Sequence, residues 1–136
     1  MSNSDNVVRG GLTPKYKDTE TLFQMLPYNS MLKERAAVSG TTVQSTATGS
    51  VVEYKTGFEE FRVFKVDVTG DSAPIKLNFK TFSMAVVVKG SGNVHFPIFA
   101  SDYMVTESCA YYIMPEREFW ISSSESLTLF IANCDI

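Results

Sequence analysis

The chain has 136 residues, 44% of them apolar, and a formal net charge of −3. That suffices for one compact domain with a real core and is too little for two ordinary ones. Lys and Arg are scattered, no run approaches the roughly 18 apolar residues of a membrane-spanning helix, and the start MSNSDN lacks the apolar core of a secretion signal, so these features predict a cytoplasmic protein with no nucleic-acid or membrane partner.

The densest chemistry stands first, at Ser4 to Lys15, SDNVVRGGLTPK. Arg9 offers a permanently charged, planar group with five donors, suited to phosphate or a developing oxyanion, and Lys15 adds a second cation. Gly10 and Gly11 open backbone angles closed to other residues, and Pro14 keeps Thr13 extended. Asp5 and Asn6 are placed to orient the arginine or to bond hydroxyls. The bland alternative is a polar arm whose charges are solvated. Next, Asp18 is set to cap a short helix through Leu26, with Leu22, Phe23, Met25 and Leu26 on its apolar side and Pro27 ending it. From Tyr28 to Ser50 the pattern is irregular and rich in Thr, Ser and Gly, predicting a surface loop with at most one short strand.

Beyond it, apolar runs separated by turn residues predict an all-β domain. IKLNFK alternates cleanly, with Ile75, Leu77 and Phe79 on one face and Lys76, Asn78 and Lys80 on the other. In EEFRVFKVDV the alternation slips, which predicts a bulge near Val63 and Phe64. MAVVVKG reads as a strand covered on both faces, turning through Gly90-Ser91-Gly92 into NVHFPIF as a hairpin. Further strands are expected in SCAYYIM, EFWIS and SLTLFIANC. Seven to nine short strands fit a β-sandwich or jelly roll with one short helix near the N-terminus. The organisation read from the sequence is an arm over 1–17, a connecting helix over 18–27 and a β-domain over 28–136.

Within the β-domain the candidate catalytic groups weigh little. His95 is the only histidine, alternation turns it away from the core, and no H-x-H or C-x-x-C pair accompanies it, so the sequence predicts no metal site in this chain. Glu59-Glu60 and Glu116-Arg117-Glu118 read as solvated charges. Ser101-Asp102 and Ser122 to Ser124 lack a histidine at a recognisable spacing for a hydrolase triad. The aromatics Phe58, Phe61, Tyr111, Tyr112, Phe119 and Trp120 suit a core better than a sugar-stacking face. Cys109 and Cys134 read as two reduced structural thiols.

SDNVVRGGLTPK resembles the signature S-D-N-V-x-R-A-G-L/F-T-P-K of type I mannose-6-phosphate isomerases, zinc enzymes of the cupin superfamily. The resemblance continues through YKDTETLFQML and more weakly at YKTGFEEFRV, VVVKGSGNV and YYIMPE. Gly10 stands where the family has alanine, and Thr56-Gly57 where it has Pro-Pro. The resemblance implies a cupin-like jelly roll and, in the complete enzyme, interconversion of mannose 6-phosphate and fructose 6-phosphate through an enediol. It implies Arg9 as the catalytic arginine, with Asp5 and Lys15 as substrate-binding neighbours for a hexose 6-phosphate.

The family's zinc ligands, a Gln-x-His pair, a glutamate and a second histidine, lie N-terminal to this motif. The expectation is therefore a C-terminal portion of such an enzyme, with no cofactor in this chain, zinc only in the complete protein, and no activity alone. The alternative is a stand-alone cupin-like binding or oligomerisation module. An arm cut free from a catalytic lobe would leave unpaired backbone or exposed apolar surface, so the expectation is either disorder of the arm or a homodimer through it.

Overall fold

The computed structural model describes residues 18–26, 37–55, 57, 60–70 and 73–134. The chain divides into two units, 1–36 and 37–136. In the first, α1 (Thr19–Met25) begins at the N-cap Asp18, whose carboxylate accepts from the Thr21 backbone N–H at 3.1 Å and from the Thr21 hydroxyl at 2.8 Å. Those two bonds hold the Asp18 carboxyl below its ordinary value, because both favour the ionised form. The cap satisfies one of the donors that every helix start leaves open, and an anion there suits the helix dipole.

The second unit holds nine strands among the described residues: β1 (Thr41–Thr46), β2 (Gly49–Lys55), β3 (Phe61–Thr69), β4 (Ile75–Phe79), β5 (Ser83–Phe96), β6 (Ser101–Thr106), β7 (Ala110–Ile113), β8 (Arg117–Ser122) and β9 (Ser126–Cys134). All pairings are antiparallel. One sheet runs β1-β2-β3-β9-β5-β7, and the other runs β4-β8-β5-β6. The 14-residue β5 belongs to both: residues 83–90 pair with β9 and β7, and residues 91–96 pair with β8 and β6. A strand that changes sheets at a bend is how two packed sheets curl into one barrel. Gly90, with φ of 78°, lies at that bend.

The inner faces meet in a single core. Val51, Val66, Val68, Val87, Leu127, Leu129 and Ile131 come from the first sheet, and Ile75, Phe79, Val105, Phe119 and Ile121 from the second. Alternation accounts for this directly, since Ile75 and Phe79 are buried on β4 while Lys76 and Asn78 between them are exposed. The all-β architecture expected from the sequence is the one observed.

Three local expectations are corrected. The register of β3 against both β2 and β9 is unbroken from Arg62 to Val68, so there is no bulge at Val63 and Phe64. Phe64, Val66 and Val68 face the core, while Phe61 and Val63 simply occupy the outer face. A bulge does occur, but on β5, where the pairing steps from Val87 to Lys89 and leaves Val88 extra. Second, MAVVVKG and NVHFPIF are one continuous strand rather than a hairpin, because each half finds its partners on β6, β7, β8 and β9. Third, MAVVVKG is covered on one face only: Ala85 and Val87 are buried, whereas Met84, Val86 and Val88 are exposed. The segment expected to be mostly loop also supplies β1 and the start of β2, which pair as a hairpin through Thr46 and Gly49.

Candidate functional site at the open end of the barrel

Strand register assigns the barrel two ends. At one, β5 passes from sheet to sheet at Gly90, the Gly70 N–H donates to the Glu125 carbonyl at 2.8 Å, and the Ser123 hydroxyl donates to the Ser91 carbonyl at 2.7 Å. That end is closed by chain. At the other, Phe61 pairs with Cys134, Ser83 with Asn133, and Phe79 with Arg117, while Ser101 faces Phe96. Two concavities open there. One is an apolar cavity of about 510 Å³ between the sheets, walled by Val87, Phe96, Ile113, Phe119, Leu129 and Ile131. The other is a polar groove of about 300 Å³ lined by residues including Gln44, Arg62, Lys80, Thr81 and Asn133.

Apolar side chains such as Phe64 and Leu77 share the groove's lining with polar ones, some of them at inward-facing strand ends. Glu53 shares the parity of buried Val51, and Arg62 shares that of Phe64 and Val66, so both project from the core face at the strand ends. Arg62 Nη1 reaches Glu53 Oε1 at 3.2 Å, which pairs a carboxylate only 7% exposed. Beside them the Asn133 side-chain amide donates to the Thr81 hydroxyl and to the Ser83 hydroxyl, each at 2.9 Å, and the Thr81 hydroxyl donates to the Cys134 carbonyl. Ser83 is fully buried, so its hydroxyl depends on this network. Asn133→Ala is expected to destabilise the fold by about 1–3 kcal/mol, the usual penalty for orphaning buried polar groups. A urea melt with an unchanged midpoint would contradict that accounting.

On the outer face of the second sheet, His95 pairs in register with Asp102 on one side and Trp120 on the other. Its Nδ1 lies 2.6 Å from Asp102 Oδ1, and its ring stacks on the Trp120 indole with centroids 5.2 Å apart and planes 20° apart. Alternation does turn His95 away from the core, but the ring is held on two sides rather than simply solvated. A histidine oriented by a carboxylate is half of an acid-base constellation. The Ser101 hydroxyl, next to Asp102 in the chain, donates instead to the Phe99 carbonyl at 2.9 Å, so it does not complete a hydrolase triad with them.

Arg9, Asp5 and Lys15, and with them the expected interaction arm, lie outside the described residues. Among the described residues no three His, Cys, Asp or Glu side chains come together as ligands, so these residues do not fit a zinc site. Cys109 is exposed at a turn and Cys134 half-buried at the end of β9, both free thiols. Glu53, Arg62 and Asn133 carry no motif that singles them out in the sequence. Their only signal was a charged or amide residue at a parity otherwise apolar, which becomes visible once the register is fixed.

No protein-family model matches the chain. Curated relatives do. The mannose-6-phosphate isomerase of Aspergillus fumigatus is 30% identical over 148 aligned positions that take in 100% of this chain and 32% of that protein. The chain is similar to mannose-6-phosphate isomerases along its whole length. Mannose-6-phosphate isomerase 1 of Arabidopsis thaliana is 30% identical over 97% of this chain and 29% of its own length, and the probable isomerase of Echinococcus multilocularis is 35% identical over 71% and 23%. The chain therefore spans about a third or less of the isomerases it matches. Among solved structures, the barrel is similar to vicilin from Capsicum annuum, with a TM-score of 0.63, 13% identity, and 71% of this chain and 30% of that chain covered. It is also similar to an RmlC-like cupin from Shewanella frigidimarina, with a TM-score of 0.57, 9% identity, and 78% and 89% covered. These likenesses make the fold of the second unit cupin-like.

Proposed function

We propose that the chain is the C-terminal portion of a mannose-6-phosphate isomerase. It would bring the arginine segment and a cupin-like barrel to an enzyme whose zinc-binding lobe is supplied by the remaining length of the isomerase relatives. The similarity over the entire chain to proteins three times its length carries this reading. Such an enzyme interconverts an aldose and a ketose by moving a proton between adjacent carbons, and negative charge develops on the sugar oxygens as it does so. Arg9, with its fixed charge and bidentate geometry, is assigned to that oxyanion, and Asp5 and Lys15 to holding the hexose 6-phosphate beside it. Zinc in the complete enzyme would polarise the carbonyl. The fold of this chain fits a supporting role, since its barrel interior is apolar and the polar side chains Glu53, Arg62, Thr81 and Asn133 near its groove bond to one another or to neighbouring backbone. The purified chain, assayed with mannose 6-phosphate and added zinc, is expected to form no fructose 6-phosphate above background. Zinc-dependent turnover would overturn the assignment.

One observation favours a second reading, a stand-alone module that oligomerises. β5 turns Met84, Val86 and Val88 outward beside Tyr112 of β7, and Phe82 stacks on Tyr112 with centroids 6.4 Å apart. A contiguous apolar row on a sheet face marks a contact surface. Under this reading light scattering gives a dimer or larger species at micromolar concentration, and Val86→Lys returns it to a monomer. A strictly monomeric wild-type chain would remove the second reading and leave the first.

A further inference from the structure

The apolar cavity at the open end of the barrel has a feature that a plain core does not require. On β8 the inward parity carries Arg117, Phe119 and Ile121, the last two buried in the core. Arg117 pairs in register with Phe79, so the alternation that buries Phe79 and Phe119 sets Arg117 on the inner side, where it lines the cavity and stays exposed at its edge. Among the described residues its side chain has no hydrogen-bond or ion-pair partner. The backbone is set for this, since Glu116, with φ of 56°, turns the chain and donates its N–H to the Phe79 carbonyl at 2.7 Å, which fixes where β8 begins.

The facing wall is aromatic. Phe96 has Phe119 at 5.6 Å, Tyr103 at 5.9 Å and Phe99 at 6.3 Å between ring centroids, so one ring connects the cavity floor to the rim. Tyr103, Phe99 and Met114 line the cavity and are all about half exposed. Asp102 also lies along this wall, but its carboxylate is engaged by His95 on the outer face. An apolar space of this size, half open and carrying a single cation at its edge, has the composition of a small-molecule pocket: hydrophobic walls with one polar group to orient the occupant.

We infer that the barrel cavity binds a carboxylate with an apolar body, of the class of a medium-chain fatty acid, its chain among Phe96, Phe119 and Ile131 and its head group on Arg117. Apolar burial supplies the binding energy, and filling a poorly hydrated apolar cavity is favourable. The arginine supplies selection for the anion, since a bidentate ion pair forms with a carboxylate and not with an alcohol. This inference stands independently of the isomerase reading, because it uses no residue of the Ser4 to Lys15 segment.

The test is a titration of the full chain, methyl-labelled for NMR, with decanoate and, separately, with decanol. Saturable shifts are expected at the Val87, Val105 and Ile113 methyls, with decanol about tenfold weaker than decanoate, the factor a partly exposed charge-assisted bond supports. Arg117→Gln is expected to weaken decanoate to the level of decanol and to leave decanol unchanged. The wild-type preference alone tests the head-group assignment should that variant fail to fold. Equal binding of the two probes, no saturable shift, or shifts confined to outer-face residues such as Val86 and Val88 would each overturn the proposal.

Discussion

Replacing Gly90 by alanine is expected to be among the most damaging single changes in the barrel. Gly90 has φ of 78°, a region that L-residues with a Cβ rarely adopt, and an added Cβ would run into the Ser126 carbonyl oxygen and lie 3.0 Å from its carbon. Both opposing atoms belong to the backbone of β9, so no side chain can turn aside. The strained φ and the collision together are expected to cost about 2–4 kcal/mol. They act where β5 crosses between sheets, so the loss falls on the closure of the whole barrel rather than on a surface turn. Urea denaturation of Gly90→Ala against the wild type measures it. A change below about 0.5 kcal/mol, within the scatter of ordinary surface substitutions, would show that the bend does not need a glycine.

Phe119→Ala is expected to rival it. Phe119 is 1% exposed and links the aromatic rings of the core, with Phe96 at 5.6 Å and Phe79 at 6.1 Å; Phe79 in turn reaches Phe64 of the first sheet at 5.2 Å. Removing it loses the transfer energy of the ring and leaves a void that the two sheets cannot close, because β8 is fixed by pairing to both β4 and β5. Large aromatic truncations of this kind cost about 3–5 kcal/mol. The existing cavity beside the ring places the expected loss toward the lower part of that span, since fewer neighbours are stranded. A thermal melt unchanged within error would mean that the aromatic bridge contributes no stability.

These two residues also show what the sequence discloses and what it leaves open. Phe119 sits in EFWIS, where a strand was legible, and its neighbour Trp120 was bound to face the other way. IKLNFK was equally legible, because each residue's burial follows from local alternation alone. Gly90 was legible as a break but not as which kind. A glycine with positive φ serves a hairpin turn and a sheet-switching bend alike, and what decides between them is the pairing of Asn93 with Ser122 and of Ser83 with Ile113, contacts distant in sequence. The apolar run MAVVVKG is ambiguous for a related reason: a strand's hydrophobicity reports that both faces are apolar, not that both are covered. The Glu53–Arg62 pair depends on the register of β2 against β3, which nothing local sets. The SDNVVRGGLTPK segment carries its proposed chemistry in the types of its residues and its resemblance to the isomerases in their order, and neither signal passes through the barrel.

That segment is where the functional account is most exposed to contradiction, and a chimera tests it directly. In the Aspergillus fumigatus isomerase, the third of the protein that matches this chain is replaced by the chain itself, and conversion of mannose 6-phosphate with added zinc is measured for the chimera and for its Arg9→Gln form. The account predicts an active chimera, and a loss of about 100-fold or more in kcat on replacing Arg9, the scale seen when a charge-stabilising donor is removed. A folded, zinc-loaded chimera without activity, or one whose turnover is indifferent to Arg9, would contradict it.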